Sequence, residues 1–95
     1  MAVQFAWDPC KAAANERRHG VAVAEAITAF YDPLSITIQD SLHSFDEGRF
    51  LLIGLSRANE LLVVAHRADG DEIRVISARR ASRRERRTYE EESDR

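Results

Sequence analysis

The two most continuous apolar runs in this chain, Phe50 to Leu55 (FLLIGL) and Leu61 to Ala65 (LLVVA), constrain its fold more than any other feature. Both lack the polar alternation of a half-exposed strand, so they read as central strands covered on both faces, spanning Arg49 to Ser56 and Glu60 to His66. Only Arg57-Ala58-Asn59 separates them, which fits a hairpin turn. Asp69-Gly70 is a second turn, because both residue types tolerate positive φ, and it leads into a last strand in which Ile73 and Val75 alternate with Arg74 and Ile76. Upstream, Leu34, Ile36 and Ile38 alternate with Ser35, Thr37 and Gln39, the pattern of a half-exposed edge strand. These strands form a four-stranded antiparallel meander.

The segments before the meander are one strand and two helices. Val3, Phe5 and Trp7 alternate with Gln4 and Ala6. Asp8-Pro9 then starts a helix, since Asp caps free amides and Pro loses nothing at the first helical position. That helix stops at Gly20, and its last turn holds Arg17, Arg18 and His19, which complements the helix dipole. Val23, Ala26, Ile27 and Phe30 form the apolar stripe of a second helix, which Asp32-Pro33 ends. After the meander, Ser82 and Glu85 spell a capping box, and a C-terminal helix follows that frays from about residue 91. The fold expected is α+β: a mainly antiparallel sheet, made of the N-terminal strand and the meander, with two N-terminal helices and one C-terminal helix packed on one face.

Ninety-five residues suit a single domain, 1–95, with a compact core. The single Cys10 excludes an internal disulfide and fits a reducing, cytoplasmic setting. No apolar run reaches membrane-spanning length, and the start of the chain lacks the basic and apolar regions of a signal peptide. The formal charge is only −2, but the charge is segregated. Between Ile73 and Tyr89 lie Arg74, Arg79, Arg80, Arg83, Arg84, Arg86 and Arg87 against the single acid Glu85, a cationic pole suited to a polyanion. In the last helix the arginines crowd the first turn and Glu90, Glu91, Glu92 and Asp94 crowd the end, opposing the macrodipole at both termini. Such a violation of local preference points to a working site. The bland alternative is that Arg86 with Glu90, and Arg87 with Glu91, tether an exposed helix.

Four blocks of sequence go further. They are FAWDPCKAAANERRHGV at Phe5 to Val21, A-x-x-x-F-x-D-P at Ala26 to Pro33, H-S-x-x-E-x-R-x-x-x-I-G at His43 to Gly54, and IRVISARRA followed by Glu85 and Tyr89. In this order they resemble the BrnT family, the toxin half of type II toxin-antitoxin pairs, over nearly the whole chain. The resemblance implies a RelE-like ribonuclease fold, neutralisation by a BrnA antitoxin with a ribbon-helix-helix DNA-binding domain, and joint binding of operator DNA through that antitoxin. Ala22 departs from the family in standing where a Ser or Thr cap commonly precedes the second helix.

Metal-free RNA cleavage needs a base for the 2′-hydroxyl proton, cations for the crowded phosphorane, and an acid for the leaving oxygen. His43 and Glu47, in the polar segment Asp40 to Gly48, are eligible as acid and base. Arg67, Arg79 and Arg80 are candidates to hold the scissile phosphate, and Arg49, Arg74, Arg83, Arg84 and Arg87 are candidate RNA contacts, because the guanidinium fork grips two phosphate oxygens. The Asp69-Gly70 turn puts Arg67 near one end of its strand and Arg79 near the opposite end of the next, so a different phosphate or the fold alone is the alternative for Arg67. Each has a structural alternative: a surface loop histidine for His43, and an ion pair with Arg49 or Arg67 for Glu47. Tyr89 reads as a core ring under the last helix, and Lys11 and His19 as surface groups. His19, His43 and His66 are scattered, and neither a zinc motif, a glycine-rich phosphate loop nor a serine elbow is present, so no cofactor is expected. On residues alone, a non-catalytic module that binds nucleic acid or antitoxin, or an adaptor for an acidic protein, accounts for the arginines equally well.

Overall fold

The computed structural model describes residues 3–40 and 48–93. Its elements are β1 (Gln4–Ala6), α1 (Pro9–His19), α2 (Val23–Thr28) with a 3-10 turn (Ala29–Tyr31), β2 (Ile36–Gln39), β3 (Arg49–Leu55), β4 (Leu61–Asp69), β5 (Glu72–Arg80) and α3 (Arg83–Ser93). The α+β class, the meander and the edge position of β2 are as expected, in one five-stranded sheet ordered β1-β5-β4-β3-β2. The sheet is nevertheless mixed: β1 runs parallel to β5, pairing Gln4 with Glu72 and Ala6 with Arg74. A three-residue strand carries no signal of its pairing partner. Its direction follows from α1 and α2, which carry the chain across one face from the β1 edge to the β2 edge.

α1 begins where expected. Asp8 Oδ1 accepts from the Cys10 and Lys11 N–H groups, and Gly20 closes the helix at φ 71°. The Asn15 side chain pairs with the outer edge of β5, accepting from Ala78 N–H and donating to Ala78 and Val21 carbonyls. A side-chain amide thus takes over on this edge of β5 beyond the end of β1. α2 is shorter than its apolar stripe suggests, because the chain tightens into the 3-10 turn at Ala29 before Asp32 and Pro33. Ala22 makes no side-chain cap, consistent with its missing hydroxyl. Close packing of that turn on β3 requires Gly54, where a Cβ would lie 2.6 Å from the Ala29 carbonyl oxygen.

The helices do not share one face. Val21, Ala26 and Ala29 pack with Leu52, Leu62, Val64, Val75 and Ala78 under α1 and α2. A second cluster on the opposite face joins Ile53, Leu61 and Val63 to Ala81 and Tyr89 under α3. Strand alternation explains it: both faces of β3 and β4 are apolar, so both must be covered. α3 covers only the end of its face near the β3-β4 hairpin. α3 runs to Ser93.

Candidate functional site

The part of that face beyond α3 carries charge. Arg49 on β3 is paired directly with Arg67 on β4, and Arg67 with Arg74 on β5. On the neighbouring positions Phe50 pairs with His66 and His66 with Val75. His66 lies against Phe30, and Val75 belongs to the core under α1 and α2. Because successive side chains alternate, the three arginines project from the opposite face, as a row across roughly 10 Å of sheet. Like charges directly opposite one another are destabilising. A row of three arginines thus concentrates positive charge at this end of the sheet.

Arg49 is held in place from one side. Its Nε donates to Asp40 Oδ2 at 3.1 Å, and Asp40 is only 4% exposed. The backbone supports the pair, since Asp40 N–H donates to the Arg49 carbonyl. The one sequence signal of Asp40 for this role is its position at the end of an edge strand, and the Arg49–Glu47 pair lies outside the described residues. His43 and Glu47 fall outside the described residues. Their segment leaves from Asp40 and returns at Gly48, so its two ends flank Arg49.

The expected convergence of Arg67 with Arg79 and Arg80 is not what the fold provides. Arg79 is level with Val63 and Arg67 lies four residues further along β4, a separation of ~14 Å along the strand. Arg79 and Arg80 also point to opposite faces, as adjacent strand residues must. Arg79 forms a two-pronged bond with Glu85 on α3, at 2.7 and 2.8 Å. Glu85 also closes the expected capping box, accepting from Ser82 N–H while its own N–H donates to Ser82 Oγ. The Arg79 hydrogen bonds dominate over burial and pull the Glu85 carboxyl down to about 2, while the Arg79 guanidinium is shifted up. Arg80 lies on the α1 side, bonded to the His19 carbonyl at 3.1 Å and to Glu60 at 3.4 Å.

Turning Glu85 inward leaves the first turn of α3 uncompensated. Arg83, Arg84, Arg86 and Arg87 are exposed, and the Arg86–Glu90 and Arg87–Glu91 tethers do not form among the described residues. The inner side of α3 is fixed by Tyr89, which packs in the second core and donates to Asp32 Oδ2 at 2.6 Å. Burial and that bond push the Tyr89 hydroxyl up to about 12. For Asp32, burial acts upward, but the Tyr89, Leu55 and Leu34 hydrogen bonds prevail and the net shift is down. Tyr89 is thus a core ring. His66 is also structural: burial lowers its pKa, and its Nδ1 donates to the Val64 carbonyl. Among the described residues no group of three His, Cys, Asp or Glu side chains is placed to hold a metal.

Residues 7–85 match the family described as the ribonuclease toxin, BrnT, of type II toxin-antitoxin system. Among solved structures, the Brucella abortus ribonuclease toxin BrnT is similar with a TM-score of 0.68 and 21% identity, covering 86% of this chain and 100% of that one. At that identity the likeness concerns the fold. No curated protein sequence matches the chain.

Proposed function

Because the chain belongs to the family of BrnT ribonuclease toxins of type II toxin-antitoxin systems, we propose that it is a metal-independent endoribonuclease whose scissile phosphate is held by Arg49, Arg67 and Arg74. The observation that carries this reading is the row itself: three like charges on directly paired positions of β3, β4 and β5. An RNA phosphate over the row is attracted by all three, and the planar fork of each guanidinium suits phosphate oxygens. The 2′-oxygen attacks the adjacent phosphorus, the arginines stabilise the crowded phosphorane, and the 5′-oxygen leaves with a proton. His43 and Glu47 supply the base and the acid, from a segment whose ends flank Arg49. Asp40 positions Arg49 and takes no proton. Arg79 anchors α3 through Glu85 and is not a phosphate ligand. Cleavage of cellular RNA then halts translation and growth.

The exposed arginines of α3, Arg83, Arg84, Arg86 and Arg87, form a separate cationic surface. It suits either flanking RNA or the acidic groups of a BrnA-like ribbon-helix-helix antitoxin, through which the pair reaches operator DNA. Incubation of the purified protein with labelled RNA, with and without EDTA, tests the catalytic reading. Cleavage in both conditions is expected. Cleavage abolished by EDTA contradicts the metal-free chemistry, and salt-sensitive binding without cleavage assigns the arginines to a binding module.

A further inference from the structure

Outside the arginine row, the described residues enclose a cavity of about 80 Å³ between α1 and the outer edge of β5. We propose that it is a nucleobase subsite, in which an unpaired RNA base stacks on Trp7 while the strand rounds the β5 edge to reach the arginine row on the opposite face. The inference rests on the ribonuclease reading above and extends it to how the substrate is oriented. The space is several times the ~10–15 Å³ that a single water requires, enough for part of a flat ring to enter.

Three features favour a base over other occupants. Trp7 lines the cavity, is 40% exposed, and takes part in none of the ring contacts that join Phe5, Phe30, Tyr31, Phe50 and His66. An indole partly exposed beside a cavity is a stacking platform, and stacking on aromatic rings is how single-stranded RNA is gripped. The polar lining is of mixed character. Asp8 spends Oδ1 on the α1 cap, while its other oxygen, the Ser77 hydroxyl and the Lys11 ammonium make no hydrogen bond among the described residues. Donors and acceptors together match the edge of a base, whereas a phosphate alone would face the Asp8 carboxylate. Asn15, whose amide is engaged by Ala78 and Val21, keeps the wall in place. Arg74, finally, lines the cavity at the β5 edge and also ends the arginine row on the opposite face, so a strand that rounds this edge meets both.

Trp7 is the only tryptophan, so its emission reports the cavity alone. The probe is a short single-stranded oligoribonucleotide bearing 2′-O-methyl groups, which cannot be cleaved, with a fluorescent label for anisotropy. The RNA is expected to change Trp7 emission with the same midpoint as the anisotropy, whereas inorganic tripolyphosphate, which offers phosphates without bases, competes for the arginines but leaves the emission unchanged. Trp7→Ala is expected to weaken RNA binding about tenfold or more, with Trp7→Phe recovering part of the loss. Should Trp7→Ala fail to fold, Lys11→Glu at an exposed position provides the same comparison and is also expected to weaken binding. RNA that binds by anisotropy without altering Trp7 emission, and binds the Trp7→Phe and Lys11→Glu variants as tightly as the parent, overturns the subsite and leaves the arginine row standing. Absence of any anisotropy change at low salt overturns both.

Discussion

Replacing Glu85 by Gln removes the negative charge that Arg79 grips while keeping the size of the side chain. A carboxyl shifted from its ordinary 4.5 to about 2 corresponds to ~3 kcal/mol at ~1.4 kcal/mol per unit. That figure is an upper limit, because the Arg79 side chain is 41% exposed and water screens the pair. A loss of about 1–2 kcal/mol is expected, which lowers the melting temperature of a chain this size by roughly 5–15 °C. The folded pKa lies below the unfolded one, so the stabilisation is complete above about pH 4.5 and fades as the pH falls towards about 2. Thermal melts followed by circular dichroism at pH 7, 5 and 3 should show the gap between parent and Glu85→Gln shrinking at the lowest pH. Equal melting temperatures at pH 7, or a gap unchanged at pH 3, refute the reasoning that this pair anchors α3.

Three further outcomes are expected. Gly54→Ala brings a Cβ to within 2.6 Å of the Ala29 carbonyl oxygen and 3.2 Å of Ser35 Cβ, so urea unfolding should show a loss of about 1–3 kcal/mol or more. Asn15→Ala strands both the N–H and the carbonyl of Ala78 at the β5 edge, costing about 1–3 kcal/mol in the same assay. Burial depresses the His66 pKa, so the contribution of this residue to stability is full above its ordinary 6.5 and is lost as the pH falls through the depressed value. His66→Phe should flatten that part of the stability profile.

Much of the fold was legible because its signals are local. Asp8-Pro9, Gly20, the Ser82 and Glu85 capping box, and the apolar alternation of β2 each act within a few residues, and each element lies where those rules place it. The parallel pairing of β1 with β5 and the placement of α3 opposite α1 and α2 were not legible. Both depend on which distant surface a short element covers. The site divides the same way. The arginines were identifiable as a class, but which of them act together is set by strand register, and the register of β4 with β5 contains a bulge near Ala65 and His66. Counting from the Asp69-Gly70 turn places Arg67 opposite Arg74, close to that turn and far from Arg79. Asp40 offered only its position at the end of an edge strand and Asn15 offered no signal, since a polar residue that serves a distant backbone or guanidinium looks like any other surface residue.

The most direct test of the central claim compares two double variants for RNA binding and cleavage, with circular dichroism confirming that both are folded. Arg67→Ala with Arg74→Ala should slow cleavage roughly 100-fold or more, comparable to removal of a charge-stabilising group at a reacting centre. It should also reduce the salt dependence of single-strand binding by about 1.4 in the log–log slope, ~0.7 for each lost phosphate contact. Arg79→Ala with Arg80→Ala should leave cleavage close to that of the parent. If the Arg79 and Arg80 variant is inactive while the Arg67 and Arg74 variant cleaves and binds like the parent, the phosphate is held at the α3 end of the sheet and the arginine row is not the site.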